Sequence, residues 1–145
     1  MNPSLIIAGV ELSVIAMLNF DQSIVPISGS SVRRMSSGAA FKMSGWRKHR
    51  ITFSASGWVP PPLIAVDYNA PFVIELALPV ALETGQSLPS GWTSRLTPWA
   101  ETTITDQAGE SVRLVYPVLT VIADPPQLRH GFDAVPSWEL VCEEV

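Results

Sequence analysis

A chain of 145 residues, 47% hydrophobic and only 15% charged, has room for one domain of ordinary size and too little for two. That composition excludes a disordered chain, which needs low hydrophobicity and high net charge. Thirteen prolines spread along the chain exclude long helices, and scattered glycines exclude a collagen-like repeat.

Net charge is −4, but its sign is unevenly spread. Residues 1–72 carry six basic and three acidic side chains, whereas residues 73–145 carry three basic and ten acidic ones. The halves, +3 and −7, attract each other within one fold or between neighbouring copies. So apolar a chain exposes hydrophobic surface unless neighbours cover it, which predicts an assembly.

Residues 5–18 are mostly apolar but include Glu11, lack a basic leader and are too short for a bilayer span of about 20 residues. No membrane insertion is expected, and a cytosolic product is the default. Residues 10–18 fit either a helix or strands; the absence of a helical stripe favours two short strands around Gly9-Val10-Glu11. Val32–Met35 and Ala39–Met43 flank the turn signal Ser36-Ser37-Gly38 and read as a hairpin. Residues 50–56 alternate, with Ile51, Phe53 and Ala55 on one face of a half-buried strand.

A short helical turn is predicted at residues 61–66, behind the prolines, and a strand at residues 72–78, between Pro71 and Pro79. Residues 83–98 show no periodicity, and a loop of that length is usually functional or ordered by a partner. Residues 101–105 and 111–115 form a second predicted hairpin around Gly109. Residues 112–121 alternate across Pro117, which predicts a bulged or edge strand. After an irregular stretch, 124–136, residues 138–144 alternate again and are expected to close the sheet. The predicted architecture is a single mainly-β domain, residues 1–145, of eight to ten short strands: a β-sandwich or an open, split barrel with long irregular loops.

No catalytic motif is present. Ser28-Gly29-Ser30-Ser31 lacks the spacing and the lysine of a phosphate cradle. The lone Cys142 forms no internal disulfide and reads as a small buried residue. Together with His49 and His130 it makes a poor zinc set, so no catalytic residue, metal or cofactor is expected. The strongest constellation is Arg33-Arg34 with Trp46-Arg47-Lys48-His49-Arg50. Basic residues with an interleaved aromatic suit phosphate or an acidic protein surface. With a pI near 5.0, an acidic patch on a neighbouring copy is the more economical partner. Trp58, Trp92 and Trp99 fall in irregular chain, where indoles serve interfaces or cover a satellite core. The expected subunit interface is therefore Arg33, Arg34, Trp46, Arg47, Lys48, Arg50, Trp58, Trp92 and Trp99.

Residues 43–50 (Met-Ser-Gly-Trp-Arg-Lys-His-Arg), 51–61 (Ile-Thr-Phe-Ser-Ala-Ser-Gly-Trp-Val-Pro-Pro), Asp67-Tyr68 and the closing 137–145 (Ser-Trp-Glu-Leu-Val-Cys-Glu-Glu-Val) resemble small structural proteins of the tails of long-tailed bacteriophages. The resemblance spans residues 5–82 and 137–145. It implies a tail-tube-like β-sandwich or split barrel and a non-enzymatic role as a virion ring protein at the tail tip or distal tail, assembled in the host cytoplasm. Implied partners are further copies of the chain, the tail tube, the tape measure and the tip hub, with DNA met only in transit. Distal-tail proteins commonly carry an extra peripheral domain without counterpart here, so a tail-terminator or adaptor ring is an alternative position. If the lumen passes DNA, carboxylates repel its phosphates, which makes Asp106 and Glu110 the expected channel-facing residues. From other classes, a carbohydrate- or host-receptor-binding module using the loop tryptophans, and a small hydrolase with a spatially assembled site, are the alternatives.

Overall fold

The computed structural model describes residues 4–12, 17–58, 61–83, 85–95, 101–105, 107–132 and 134–145. It is mainly β, with one four-residue helix, α1 (Pro61–Ile64), among the described residues. The strands form two open sheets in a sandwich-like arrangement, and neither sheet closes into a barrel.

Alternating burial builds the large sheet. β1 (Ile6–Ile7) and β2 (Val10–Glu11) form a tight hairpin, as expected for this segment. β3 (Leu18–Arg34) and β4 (Ala40–Ser56) form a second and far longer one. β5 (Phe72–Glu75), β10 (Pro117–Ala123) and β12 (Ser137–Glu144) complete the order β2-β1-β5-β10-β12-β4-β3, with β7 (Thr93–Ser94) beside β10 and β11 (Gln127–Arg129) beside β12. β6 (Val80–Glu83), β9 (Ser111–Val115) and β8 (Glu101–Thr105) make the small sheet, with β9 in its centre.

The core lies on one face of the large sheet. Ile51, Phe53 and Ala55 of β4 meet Trp138, Leu140 and Cys142 of β12, with Leu119 and Val121 of β10 alongside. Burying each large apolar side chain contributes about 1.5–3 kcal/mol. Leu63 of α1 caps this cluster, and the hydroxyl of the nearby Tyr68 donates to the Leu63 carbonyl.

Three sequence expectations need correction. Residues 112–121 are two strands in different sheets, with Tyr116 between them, and β10 is central rather than an edge. Pro117 stands at its first position, where a missing N–H costs no ladder bond, and its carbonyl accepts from Leu76 N–H at 3.0 Å. The last strand does not close the sheet either: β12 lies between β10 and β4, because both its neighbours supply apolar alternation for it to match. Finally, twelve strands are present among the described residues, and two of them are not short but 17 residues each.

Of the long segment 83–98, residues 84 and 96–98 lie outside the described residues, and the rest finds partners in its own chain. Thr93 and Ser94 pair with β10, and Arg95 is buried with Nη1 donating to the carbonyls of Ser4 (2.7 Å) and Leu76 (3.3 Å).

Candidate functional site

The register between β4 and β12 ends at Arg50, opposite Glu143. Beyond that point β3 and β4 continue as a two-stranded ribbon through residues 26–34 and 40–49, closed by a turn in which Gly38 adopts φ +84°. At about 3.3 Å per residue the ribbon projects about 30 Å from the body. Nearly all of its residues are exposed, and among the described residues no buried core side chain falls between Leu12 and Ile51.

Directly paired residues share a face, so the register sorts the arm's side chains. One face continues the core side and carries Ser28, Ser30, Ser44, Lys42 and Arg47. The other continues the outer face of the sheet and carries Val25, Ile27, Phe41 and Met43, with Arg33 directly opposite Phe41. A bulge between the pairs Ser28↔Arg47 and Ser30↔Ser44 sets Gly29 against Gly45 and Trp46. The Trp46 indole lies over Gly29 on the outer face, where no larger residue leaves it room. Phe41 and Met43 are each 52% exposed and Trp46 53%, so the outer face is a continuous, uncovered apolar stripe.

Charge on the arm has one sign. Residues 22–66 contain six Lys or Arg and no Asp or Glu. At the arm's root three of its side chains find partners at the C-terminal end of the chain. Arg50 donates from Nε (3.0 Å) and Nη2 (2.7 Å) to Glu143 Oε1, His49 Nδ1 lies 2.9 Å from Glu144 Oε2, and Lys48 Nζ donates to the Val145 carbonyl at 2.7 Å. Arg34 donates to the Gly38 carbonyl at 3.1 Å across the turn. Arg33, Lys42 and Arg47 have no partner among the described residues.

Two hollows accompany the arm. One, of about 570 Å³, sits at its root and is lined by Ile24, His49, Val80, Leu82 and Trp92. The other is an open groove of about 460 Å³ lying over β12 and β10. Tyr68, Ile122 and Val141 give it an apolar floor, and Asp124, Glu139 and Glu143 make it acidic. Burial, with a contribution from nearby Cys142, pushes the Tyr68 phenol up to about 12.

The structure thus gathers Arg33, Arg34, Trp46, Arg47 and Lys48 on one element, with Arg50 at its root. It separates the other tryptophans. Trp92, expected at an interface, is only 8% exposed: it packs into the core of its own chain, edge-on to His49 at 4.8 Å. Trp58 is 64% exposed and meets His130 edge-on at 5.2 Å. Trp99 and Asp106 lie outside the described residues; Glu110 is exposed at the β8–β9 hairpin. Cys142 is fully buried, and burial raises its thiol to about 12, so it remains a protonated core residue. Among the described residues no group of three or more His, Cys, Asp or Glu is placed to hold a metal ion. Among the described residues no helix is long and apolar enough to cross a membrane.

Phe41 and Met43 were not singled out from sequence. Their signal is their two-residue spacing, which places both on one face of a strand.

Neither a protein-family model nor a curated protein sequence matches the chain.

Proposed function

We propose that this chain is a non-enzymatic structural subunit that assembles through its β3–β4 arm into an oligomeric ring, and that the ring belongs to the tail of a long-tailed bacteriophage. The arm is the observation that carries this reading. An isolated two-stranded ribbon is marginally stable in water, and its free edges are templates for pairing. A ribbon whose outer face holds Phe41, Met43 and Trp46 half-exposed gains its order when a neighbour covers that face. Contacts between an arm and a different surface are heterologous, and such contacts make rings when the rotation closes. The tail assignment rests on the resemblance of residues 43–61 and 137–145 to tail proteins. In such a ring the β8–β9 hairpin, with Glu110 exposed, faces the bore, where a carboxylate repels passing phosphates.

The test is to shorten the arm. Replacing residues 28–47 by Asn-Gly joins the paired Ile27 and Lys48 through a two-residue hairpin turn and removes no core side chain. Intact protein gives rings in negative-stain images and a multi-subunit mass, while the shortened protein is a folded monomer. Intact protein that remains monomeric at high concentration refutes the reading.

A further inference from the structure

We propose that the outer face of one copy's arm seats in the acidic groove of a second copy, with Phe41 and Met43 entering the apolar floor and Arg33 meeting Asp124 and Glu139. This inference rests on the arm-driven assembly above and names the surface that receives the arm.

The two surfaces match in apolar character and in charge. On the arm, Phe41 and Met43 alternate on β4, so their side chains stand about 7 Å apart on the same face. Arg33 is the direct cross-strand partner of Phe41 and has no acidic neighbour of its own among the described residues. The three make a compact unit of two apolar side chains and one unsatisfied cation. In the groove, Ile122 is 47% and Val141 38% exposed, so the floor offers apolar surface for a docking side chain to cover. Asp124 and Glu139 at its margin have no ion-pair partner among the described residues. Glu143, the third carboxylate, is already held by Arg50.

Self-docking is excluded by geometry. The arm projects from the strand that carries Arg50, and at about 3.3 Å per residue its Phe41 lies about 30 Å along the ribbon from the register of Glu143 in its own copy. An arm seated in the groove therefore comes from a second copy, and no acidic residue on the arm opposes its approach. Interfaces of this kind use the charges for register and approach, and the buried apolar anchors for affinity.

A charge exchange tests the pairing. Arg33→Glu alone and Glu139→Arg alone each raise the protein concentration needed for half-assembly by about tenfold, and the two together in one chain restore it towards the original value. A second pair, Ser31→Cys with Gln127→Cys at the rim of the contact, gives a ladder of disulfide-linked multimers on oxidation, which neither single variant gives. Glu139→Arg assembling like the unaltered protein, with no ladder from the cysteine pair, overturns the groove assignment. If the shortened-arm protein is then still monomeric, the arm-driven assembly stands and only its receiving surface is wrong. If the unaltered protein does not assemble, both fail together.

Discussion

The indole of Trp46 lies flat over Gly29 across the β3–β4 bulge, so close that a methyl group at position 29 would stand 2.9 Å from both Cδ1 and Cε2. The glycine is there for the indole, not for its backbone, which does not adopt positive φ. Gly29→Ala is expected to lift the indole from the ribbon. Because both residues are exposed, monomer stability changes by no more than about 0.5 kcal/mol. Assembly, followed by sedimentation velocity, weakens in the same direction as for Trp46→Ala.

Core and arm make opposite demands on their aromatic side chains. Trp138 and Phe53 are fully buried, and truncating either to alanine costs about 3–5 kcal/mol, read as a lowered urea midpoint in circular dichroism. Phe41→Ala leaves the monomer within about 0.5 kcal/mol while impairing assembly. A large loss of monomer stability in Phe41→Ala contradicts the division of the molecule into body and arm.

Arg50 and Glu143 link the arm's root to the C-terminal strand in a pair that is nearly half exposed on each side. Glu143→Gln is expected to lower stability by about 0.2–1 kcal/mol at low salt, and by less in high salt, where exposed charges are screened. Denaturation curves at two ionic strengths check both parts.

Alkaline stability follows from Cys142 and Tyr68. Burial raises the thiol from 9.0 to about 12 and the phenol from 10.0 to about 12 in the folded state. Each neutral form is therefore favoured by folding. The stabilisation is complete below the unfolded values and is lost as pH rises towards 12. Thermal midpoints should be unaffected by these two groups below about pH 9 and fall above it, less steeply in Cys142→Ala. Alkylation of Cys142 at pH 8 should require unfolding.

What the sequence makes legible is the half-buried part of the sheet. Ile51-Thr52-Phe53-Ser54-Ala55 and Trp138-Glu139-Leu140-Val141-Cys142 alternate because one face is in the core, and that signal locates both strands. The arm hides because neither of its faces is buried. Residues 26–34 and 40–49 have no core side to contrast with a solvent side, so their polar and apolar residues show no clean period. Pro26, Gly29 and Gly45 look like breakers. In the structure Pro26 sits on an edge strand, where no neighbour needs its N–H, and the glycines mark a bulge. Only the turn around Gly38 and the run of like charge betrayed the element. The acidic groove was not legible because Tyr68, Asp124 and Glu139 come from distant parts of the chain.

The most direct measurement is the mass of the protein in solution as a function of concentration, by sedimentation velocity, for the intact chain and for the chain with residues 28–47 replaced by Asn-Gly. Arm-driven assembly predicts a discrete multi-subunit species for the first and a monomer with native circular dichroism for the second. A monomer in both cases, or the same oligomer in both, contradicts it.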